Sequence, residues 1–281
     1  MFLSMMTWRI SCAKRCGDDS QAVVHPLYKF WLVIRSTCFW ILFLPGILIC
    51  ATLVSLSYYL PLSIRMGLIK IWIAWSLLCL RFTCGLKFVV EGRENIPDNG
   101  FIVMSKHSST WETIAIQRFF RPMVWVVKRE LTWIPFFGWA LKAMNAIALN
   151  RGTGRKAINQ LIQESQKHMD RGRILMLFPE GTRVLPMQNK PFKLGGAIVS
   201  QRTGYAVVPI AHNAGEFWPR HSWIKWPGTI RVVIGPPIEP DDRKPEAIIA
   251  EVGDWIRGEC ERISDPQQLQ RIGVLAPTAA K

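Results

Sequence analysis

Three short stretches of this chain contain residues that could do chemistry. In the first, His107 follows an apolar run and Glu112 comes five residues later. An imidazole titrates near neutral pH, so it could act as a general base while the carboxylate fixes its tautomer. The same stretch also spells a helix capping box, in which Ser109 caps the N–H of Glu112 and the glutamate bonds the N–H of Ser109. This stretch alone leaves both interpretations open.

The other two stretches place arginines in turns that contain glycine. ALNRGTGR contains Arg151, and LFPEGTR contains Glu180, Gly181, Thr182 and Arg183. The planar guanidinium of arginine suits a phosphate group, and glycine lets the backbone approach a ligand closely. Each stretch taken singly is weak, because P-E-G-T is also an ordinary turn and loop arginines are usually solvated. Together they indicate a site for an anionic substrate.

The elements that must position these residues follow from the hydrophobic pattern. From Leu86 onward, short apolar runs alternate with amphipathic stretches, which predicts an α/β fold with a mostly parallel central sheet flanked by helices. Amphipathic helices are predicted over 156–169 and 245–264. The predicted strands lie in LKFVVEG, FIVMS, PMVWVVK, NAIALNR, RILMLF, YAVVPIA and TIRVVIG. Ligands bind beyond the carboxyl ends of strands in such sheets, so all three stretches are expected at one edge.

Composition narrows the class of partner. The 281 residues are 49% hydrophobic, carry a formal net charge of +15 and include 13 tryptophans. This combination indicates a surface that meets something both apolar and anionic, and a phospholipid membrane fits that description. Nucleic acid is not the expected partner, because the sequence contains no zinc-finger spacing, RNP-like strand or basic zipper. The seven cysteines form no CxxC pair, which favours free thiols in a reducing compartment.

A membrane anchor is predicted near the N-terminus. Residues 36–64 contain no charged side chain, and this run is long enough to span a bilayer. The pair Pro45-Gly46 interrupts the run, so a kink or a re-entrant hairpin is expected there. Basic residues flank both ends, which favours a segment that dips into the membrane and returns, with a single span as the alternative. The shorter run 71–80 is predicted as an interfacial helix.

These observations predict three regions. Residues 1–85 would be a membrane-anchoring helical segment, 86–265 an α/β domain, and 266–281 a flexible tail. The protein is expected to be membrane-bound with its catalytic domain on the cytoplasmic face, at the inner membrane if the chain is bacterial.

The motifs resemble those of one known family. HSSTWE resembles the H-x4-D signature of the glycerolipid acyltransferases, the 1-acylglycerol-3-phosphate acyltransferase family. LNR ending at Arg151, FPEGTR, and VVPIA around Pro209 resemble the family's second, third and fourth blocks, and the likeness covers about residues 88–235. KRELTWIPFFGWAL resembles the segment between the first two blocks. Glu112 stands where the family has aspartate, and Ala148 and Asn150 replace the phenylalanine and aspartate often found in the second block.

The resemblance implies acyl transfer without a cofactor. A fatty acyl group would move from the thioester of coenzyme A or acyl carrier protein to the sn-2 hydroxyl of 1-acylglycerol 3-phosphate (lysophosphatidic acid), giving phosphatidic acid. His107 would be the general base and Glu112 its partner. One carboxylate is not expected to serve both His107 and the Ser109 N–H fully, and the resemblance favours His107. The glycerol phosphate would be held by Arg151, Glu180, Gly181, Thr182 and Arg183.

Alternative functions remain at this stage. A sibling acyltransferase would use glycerol 3-phosphate or a lyso-ornithine lipid, and a protein of a different class would be a non-catalytic membrane scaffold. No metal site is expected, because the five histidines are scattered and no H-E-x-x-H occurs. The chain contains no G-x-S-x-G elbow, so no acyl-enzyme is indicated. His212 follows a predicted strand and is expected to have a structural role.

Overall fold

A computed structural model of the protein describes residues 25–275, except Arg121, Arg151 and Thr153. The strands are β1 (Leu86–Glu91), β2 (Ile102–Ser105), β3 (Met123–Lys128), β4 (Ile147–Leu149), β5 (Ile174–Leu177), β6 (Val207–His212) and β7 (Gly228–Ile234). The helices are α1 (Pro26–Leu56), α2 (Leu62–Cys79), α3 (Trp111–Ala115), α4 (Phe137–Ala143), α5 (Arg155–Met169), α6 (Gly195–Thr203), α7 (Ala214–Phe217), α8 (Pro245–Ile263) and α9 (Pro266–Arg271).

The seven strands form one sheet in the order β1-β7-β6-β2-β5-β3-β4. Strands β6, β2, β5, β3 and β4 are parallel to their neighbours in that order. β7 pairs with β6 in the antiparallel sense, and β1 runs parallel to β7. Helices cover the sheet, so the predicted α/β fold with a mostly parallel central sheet is confirmed.

The reversal at β7 determines where the N-terminal helices join the sheet. His212, at the end of β6, lies opposite Val232, and the first residue of β7, Gly228, lies beyond that end. Leu86 of β1 pairs with Gly228, so β1 also begins at the edge where the five parallel strands finish. A five-residue π-helix, Leu80–Cys84, connects α2 to this point. The N-terminal helices therefore enter the sheet at the edge that receives the carboxyl ends of β2 and β5.

The two faces of the sheet carry separate hydrophobic cores, because alternate residues of a strand point to opposite sides. On one face, Val103 and Met176 pack in a cluster with residues of α1, α2 and α3. On the other face, Ile102 and Leu175 pack with residues of α5, α6 and α8. β2 and β5 are buried on both faces, as central parallel strands should be.

Helices α1 and α2 form an antiparallel hairpin whose turn, residues 57–61, lies later than the sequence predicted. α1 continues through Pro45, so the expectation of a hairpin turn at Pro45-Gly46 is wrong. Gly46 instead lets α2 approach, since an added Cβ would lie 3.2 Å from the ring of Trp75. α2 is also longer than the predicted run 71–80. Both Pro26–Leu56 and Leu62–Cys84 are long and apolar enough to cross a membrane.

The helical hairpin is packed onto the α/β domain and shares its core. Phe39 is fully buried, and its ring centroid lies 5.4 Å from that of Trp218. Ile73 of α2 belongs to the same cluster as Val208 of the sheet. The predicted division at residue 85 therefore separates two parts of one hydrophobic core.

One buried lysine joins α1 to the domain. Lys225 is 0% exposed, and its ammonium lies 3.8 Å from the ring centroid of Trp40 and 5.0 Å from that of Trp218. The ammonium donates a 2.7 Å hydrogen bond to the carbonyl of Trp223, and the Lys225 N–H donates to Ser36 Oγ of α1. Burial lowers the pKa of Lys225 to about 7. Aromatic faces attract the cationic form, and together with the Ser36 hydrogen bond this aromatic cage fastens α1 to the segment before β7.

The C-terminal segment differs from the predicted flexible tail. Residues Pro266–Arg271 form α9, and the Asp265 carboxylate caps it by accepting the N–H of Gln268 at 3.1 Å. Leu269 is 1% exposed. The apolar burial explains why this part is helical. Residues 276–281 lie outside the described part of the chain.

Candidate active site

The backbone of His107 is held on both sides by the turn that follows β5. The His107 N–H donates to Glu180 Oε2 at 2.6 Å, and the His107 carbonyl accepts the N–H of Val184 at 2.8 Å. β2 and β5 are neighbouring parallel strands, so their carboxyl ends meet here. The structure brings together the His107 stretch and the FPEGTR stretch, as the sequence predicted.

The side chain of His107 forms a dyad with Glu112. Glu112 Oε1 lies 2.9 Å from His107 Nδ1, and it also accepts the N–H groups of Ser108 at 3.1 Å and Ser109 at 2.9 Å. The expectation that Glu112 could not serve both groups is wrong, because all three donors converge on one oxygen at the start of α3. The serine half of the capping box also differs, since Ser109 Oγ accepts the N–H of Trp111.

The electrostatics favour an ionised Glu112. Burial by itself raises the pKa of this fully buried carboxyl, but the hydrogen bond from His107, the nearby imidazoles and the Ser109 N–H outweigh it and lower the pKa below its usual value. An ionised carboxylate only accepts hydrogen bonds, so His107 Nδ1 carries the proton. Nε2 then presents its lone pair, and it has no hydrogen-bond partner among the described residues. This is the arrangement that a general base requires.

Phe178 supports the imidazole from one side. Its ring stacks on His107 with a centroid distance of 3.8 Å and an interplanar angle of 11°. Stacking fixes the ring plane and keeps water off one face. Phe178 was not among the predicted site residues, although it is the first residue of FPEGTR and directly follows β5.

Glu180 lies behind His107, away from the position expected of a substrate ligand. Its side chain is fully buried, one oxygen accepts the His107 N–H, and the other accepts Lys106 Nζ at 2.6 Å. Burial raises the pKa of the Glu180 carboxyl, while the Lys106 ammonium and the His107 N–H act in the opposite direction. Both oxygens are occupied, and a carboxylate repels phosphate. The geometry makes Glu180 a positioning residue, and Lys106 its partner.

The rest of the FPEGTR turn is positively charged. Arg183 is half-buried, and its Nε is buried with no hydrogen-bond partner within the described part of the chain. Its carbonyl accepts a hydrogen bond from Arg220 Nη1 at 2.5 Å. Gly181 has a φ of 71°, and an added Cβ there would lie 3.0 Å from Lys193 Nζ. Thr182 is exposed. Three cationic side chains therefore surround this turn, and sequence reasoning had found one of them.

One of the predicted site residues falls outside what the structure describes. Arg151 follows β4 after one residue, but it is not among the described residues. β4 is parallel to β3, so the chain leaves β4 at the same edge as β2 and β5.

Comparison with known proteins agrees with this geometry. Residues 87–213 match the family model described as Acyltransferase. The chain is 37% identical over 241 residues to the 1-acyl-sn-glycerol-3-phosphate acyltransferase of Pseudomonas aeruginosa, an alignment that covers 84% of this chain and 93% of that protein. This chain belongs to the 1-acylglycerol-3-phosphate acyltransferase family. It is an acyltransferase, and the family predicted from its motifs is confirmed.

Two further proteins are similar to this acyltransferase. A chloroplastic 1-acyl-sn-glycerol-3-phosphate acyltransferase of Arabidopsis thaliana is 31% identical over 156 residues, which are 54% of this chain and 44% of that protein. The crystal structure of the 1-acyl-sn-glycerophosphate (LPA) acyltransferase of Thermotoga maritima matches with a TM-score of 0.70 and 24% identity. That match covers 84% of this chain and 97% of the other, and it shows a common fold.

His212 has a definite place in the acyltransferase. It is buried, its Nε2 lies 2.8 Å from the Lys106 carbonyl, and its Nδ1 accepts the N–H of Ala214 at 3.3 Å. Burial lowers the pKa of His212, which keeps the imidazole neutral, so Nε2 is the donor. His212 therefore holds the residue that precedes His107, and its role is structural, as expected.

Proposed function

We propose that this acyltransferase transfers a fatty acyl group to the sn-2 hydroxyl of 1-acylglycerol 3-phosphate, giving phosphatidic acid. The donor is a thioester of coenzyme A or acyl carrier protein, and no cofactor takes part. The observation that carries the proposal is the His107–Glu112 contact of 2.9 Å, which leaves Nε2 available as a base. The printed activity of the relatives, 1-acyl-sn-glycerol-3-phosphate acyltransferase, supports the choice of acceptor.

The reaction needs one proton to move to and from His107. Nε2 takes the proton of the acceptor hydroxyl as that oxygen attacks the thioester carbonyl, forming a tetrahedral intermediate. The C–S bond then breaks, and the imidazolium returns the proton to the departing thiolate, so the products are an ester and a free thiol. Glu112 stabilises the imidazolium while it exists, as the carboxylate does in serine triads. The stacked Phe178 ring and the hydrogen-bonded backbone of His107 hold the imidazole in a fixed orientation.

The acceptor phosphate is held by the cationic turn after β5. Arg183, Thr182 and Gly181 provide a guanidinium, a hydroxyl and backbone close to His107, and Arg151 contributes from the end of β4. Arg220 and Lys193 add positive charge beside this turn. Glu180 takes part indirectly through the His107 backbone. A guanidinium binds phosphate in a bidentate manner, which fixes the orientation of the glycerol hydroxyl.

The membrane supplies the acceptor and holds the enzyme. The guanidinium of Arg35, early in α1, donates to the carbonyl of Thr83, just after α2, so both ends of the hairpin lie together. A segment that enters and leaves on one side fits this arrangement better than a single span. The region 1–85 is then the anchor, and the catalytic domain on the cytoplasmic face runs from residue 86 through α9. The inner membrane is the location if the chain is bacterial, and no nucleic acid is involved.

The test compares acceptors and donors on membranes that contain the full chain. Labelled lysophosphatidic acid, glycerol 3-phosphate and lyso-ornithine lipid are each offered with acyl-CoA or acyl carrier protein thioester. We expect labelled phosphatidic acid from the first acceptor, and loss of that product in His107→Ala. Faster transfer to either of the other acceptors would identify a sibling acyltransferase. No thioester consumption with any acceptor would indicate a scaffold and refute the proposal.

A further inference from the structure

The segment after β3 exposes large apolar side chains that the proposed chemistry does not use. We call residues 131–139 the aromatic segment. Trp133 is 67% exposed and Trp139 is 51% exposed, and Leu131 and Phe136 are exposed as well. Single exposed apolar residues are ordinary, but a contiguous group marks an interaction surface. The rings of Phe136 and Trp139 pack on each other with centroids 5.1 Å apart, and both remain partly open to solvent.

The aromatic segment is continuous with the turn of the helical hairpin. Ser55 Oγ, at the end of α1, lies 3.3 Å from the Phe136 carbonyl. The Arg65 guanidinium, at the start of α2, donates to the carbonyl of Ala143 at the end of α4. The hairpin turn between these contacts exposes Tyr58 and Tyr59, and Tyr59 is 94% exposed. The two exposed aromatic groups therefore form one surface.

The backbone of the aromatic segment is shaped to present this surface. Phe136 has a φ of 60°, a conformation that is strained for a residue with a side chain. Gly138 allows the tight return, because an added Cβ would lie 2.3 Å from the Thr132 carbonyl. Strain of this kind persists where the surrounding structure holds it and is found at functional segments. Here the strained residue leaves its apolar side chain 39% exposed beside Trp139.

The charge around the aromatic segment identifies its partner. Lys128, Arg129 and Lys142 flank it and are exposed, against a single acidic residue, Glu130, that lies 3.4 Å from Lys128. Tryptophan and tyrosine concentrate at the headgroup level of membranes, and basic side chains attract anionic lipids. A bilayer surface that contains anionic lipid fits this combination better than a protein surface does. The aromatic segment adjoins the hairpin, whose two helices are apolar enough to cross a membrane.

We propose that the aromatic segment and the hairpin turn enter the headgroup region of the same bilayer surface. The α/β domain then has its own membrane contact, in addition to the N-terminal helices. β3 ends at the same sheet edge as β2, and Trp125 of β3 lies 5.8 Å from Phe178, which stacks on His107. The contact turns the catalytic edge toward the lipid. Under the proposed function, which this last step assumes, an acceptor lipid reaches His107 without leaving the membrane surface.

The first test measures depth in the bilayer and does not depend on activity. An environment-sensitive fluorescent amino acid is placed at position 139, 59 or 167 of the full chain, in vesicles of phosphatidylethanolamine and phosphatidylglycerol with brominated acyl chains. Position 59 reports the hairpin turn. Position 167 is the matched control, because Lys167 is exposed near the end of α5, which returns to the opposite edge of the sheet.

The outcomes separate the possibilities. We expect quenching by brominated lipid at positions 59 and 139, and none at 167. Quenching at 59 alone overturns the proposal, because the hairpin would then insert without the aromatic segment. If neither site is quenched and the protein is a dimer in detergent, a second copy covers this surface. That result would also overturn the proposal. Equal quenching at position 167 would show that the protein adsorbs nonspecifically to the vesicles, and this result would also overturn the proposal.

The second test uses the double substitution Trp133→Ser and Trp139→Ser. With lysophosphatidic acid embedded in vesicles, we expect kcat/KM to fall about tenfold, which corresponds to ~1.4 kcal/mol of lost interfacial binding. With a water-soluble short-chain acceptor, the rate should equal that of the wild type. Equal losses with both acceptors would place these residues in the active site and refute the proposal. Absence of transfer in the wild type would refute the proposed function, while the quenching experiment would still decide this inference.

Discussion

Glu180 accepts the backbone N–H of His107 at 2.6 Å while its second oxygen holds Lys106 at 2.6 Å. One buried carboxylate in the turn after β5 thus sets the position of a base that follows β2. The ion pair matters for stability, because breaking a buried pair leaves the other charge without a partner.

The first prediction concerns this pair. Glu180→Gln should lower the free energy of unfolding by roughly 3–5 kcal/mol and lower turnover about a hundred-fold, because His107 shifts. Adding Lys106→Met removes the stranded ammonium and should recover part of both losses. Thermal unfolding and kcat of the two variants give the comparison. If Glu180 contacted the substrate, Glu180→Gln would instead raise the KM for the acceptor. Adding Lys106→Met would then recover neither stability nor turnover.

The second prediction concerns the base. His107→Ala should lower kcat by about a hundred-fold or more, the usual scale for a positioned general base. His25→Asn is a matched control, since His25 is exposed just before α1 and its side chain makes no capping hydrogen bond. The control should retain wild-type turnover. A folded, membrane-bound His107→Ala protein with near-normal turnover would remove His107 from the mechanism.

The third prediction separates the two roles of Glu112. Glu112→Gln keeps an oxygen for the N–H groups of Ser108 and Ser109 but loses the charge that stabilises the imidazolium. We expect a large loss of kcat with little change in thermal stability. Ser109→Ala is the reverse control, because it removes the cap on Trp111 and the 2.7 Å bond to the Trp218 carbonyl without changing the dyad. Full activity in Glu112→Gln would show that Glu112 serves only as a helix cap.

The fourth prediction concerns phosphate recognition. Arg183→Lys preserves charge but not the planar guanidinium, so the KM for lysophosphatidate should rise substantially, with a smaller effect on the thioester donor. Saturation curves for each substrate at equal membrane-bound protein provide the measurement. Unchanged acceptor curves would mean that Arg183 is a solvated loop residue. A defect confined to the donor would assign it to the thioester side.

The fifth prediction concerns the contact between α7 and α9. Burial raises the pKa of Glu216 from 4.5 to about 7, although Ser264 and the Asp265 N–H hydrogen-bond to it. The folded state then binds the proton more tightly than the unfolded state. The stabilising contribution is complete below pH 4.5 and is lost as pH rises to about 7. Thermal unfolding between pH 5 and 8 should show this decline, and Glu216→Gln should reduce it. Identical pH profiles in both proteins would contradict it.

The sheet was predictable because its signal is local. Five of the seven strands lie within an apolar run that the sequence predicted. The other two extend one residue beyond their runs, β6 to His212 and β7 to Gly228. The His107 and FPEGTR stretches were predicted to meet because parallel strands end at a common edge. Nothing in the spacing indicated the reversal at β7, which depends on pairing between distant strands.

The side-chain partners were also less predictable, because they depend on contacts between residues that are far apart in the chain. The resemblance assigned Glu180 to the substrate. The sequence could not show its partners, because Lys106 and His107 are 74 and 73 residues away in the chain. A hairpin turn was one expectation for Pro45-Gly46, but α1 continues through it and packs against α2 and the domain. A proline removes one hydrogen bond, and tertiary contacts can outweigh that loss.

The aromatic cage around Lys225 has a consequence for how the chain is made. Ser36 and Lys225 are 189 residues apart, so a ribosome that adds ~5–20 residues each second leaves roughly 10–40 s between them. During that interval the nascent α1 has no domain to pack against, and its apolar surface must be sheltered by lipid or a chaperone. Membrane delivery of α1 would therefore precede closure of the core, and the bilayer would act first as a folding environment and later as the source of substrate.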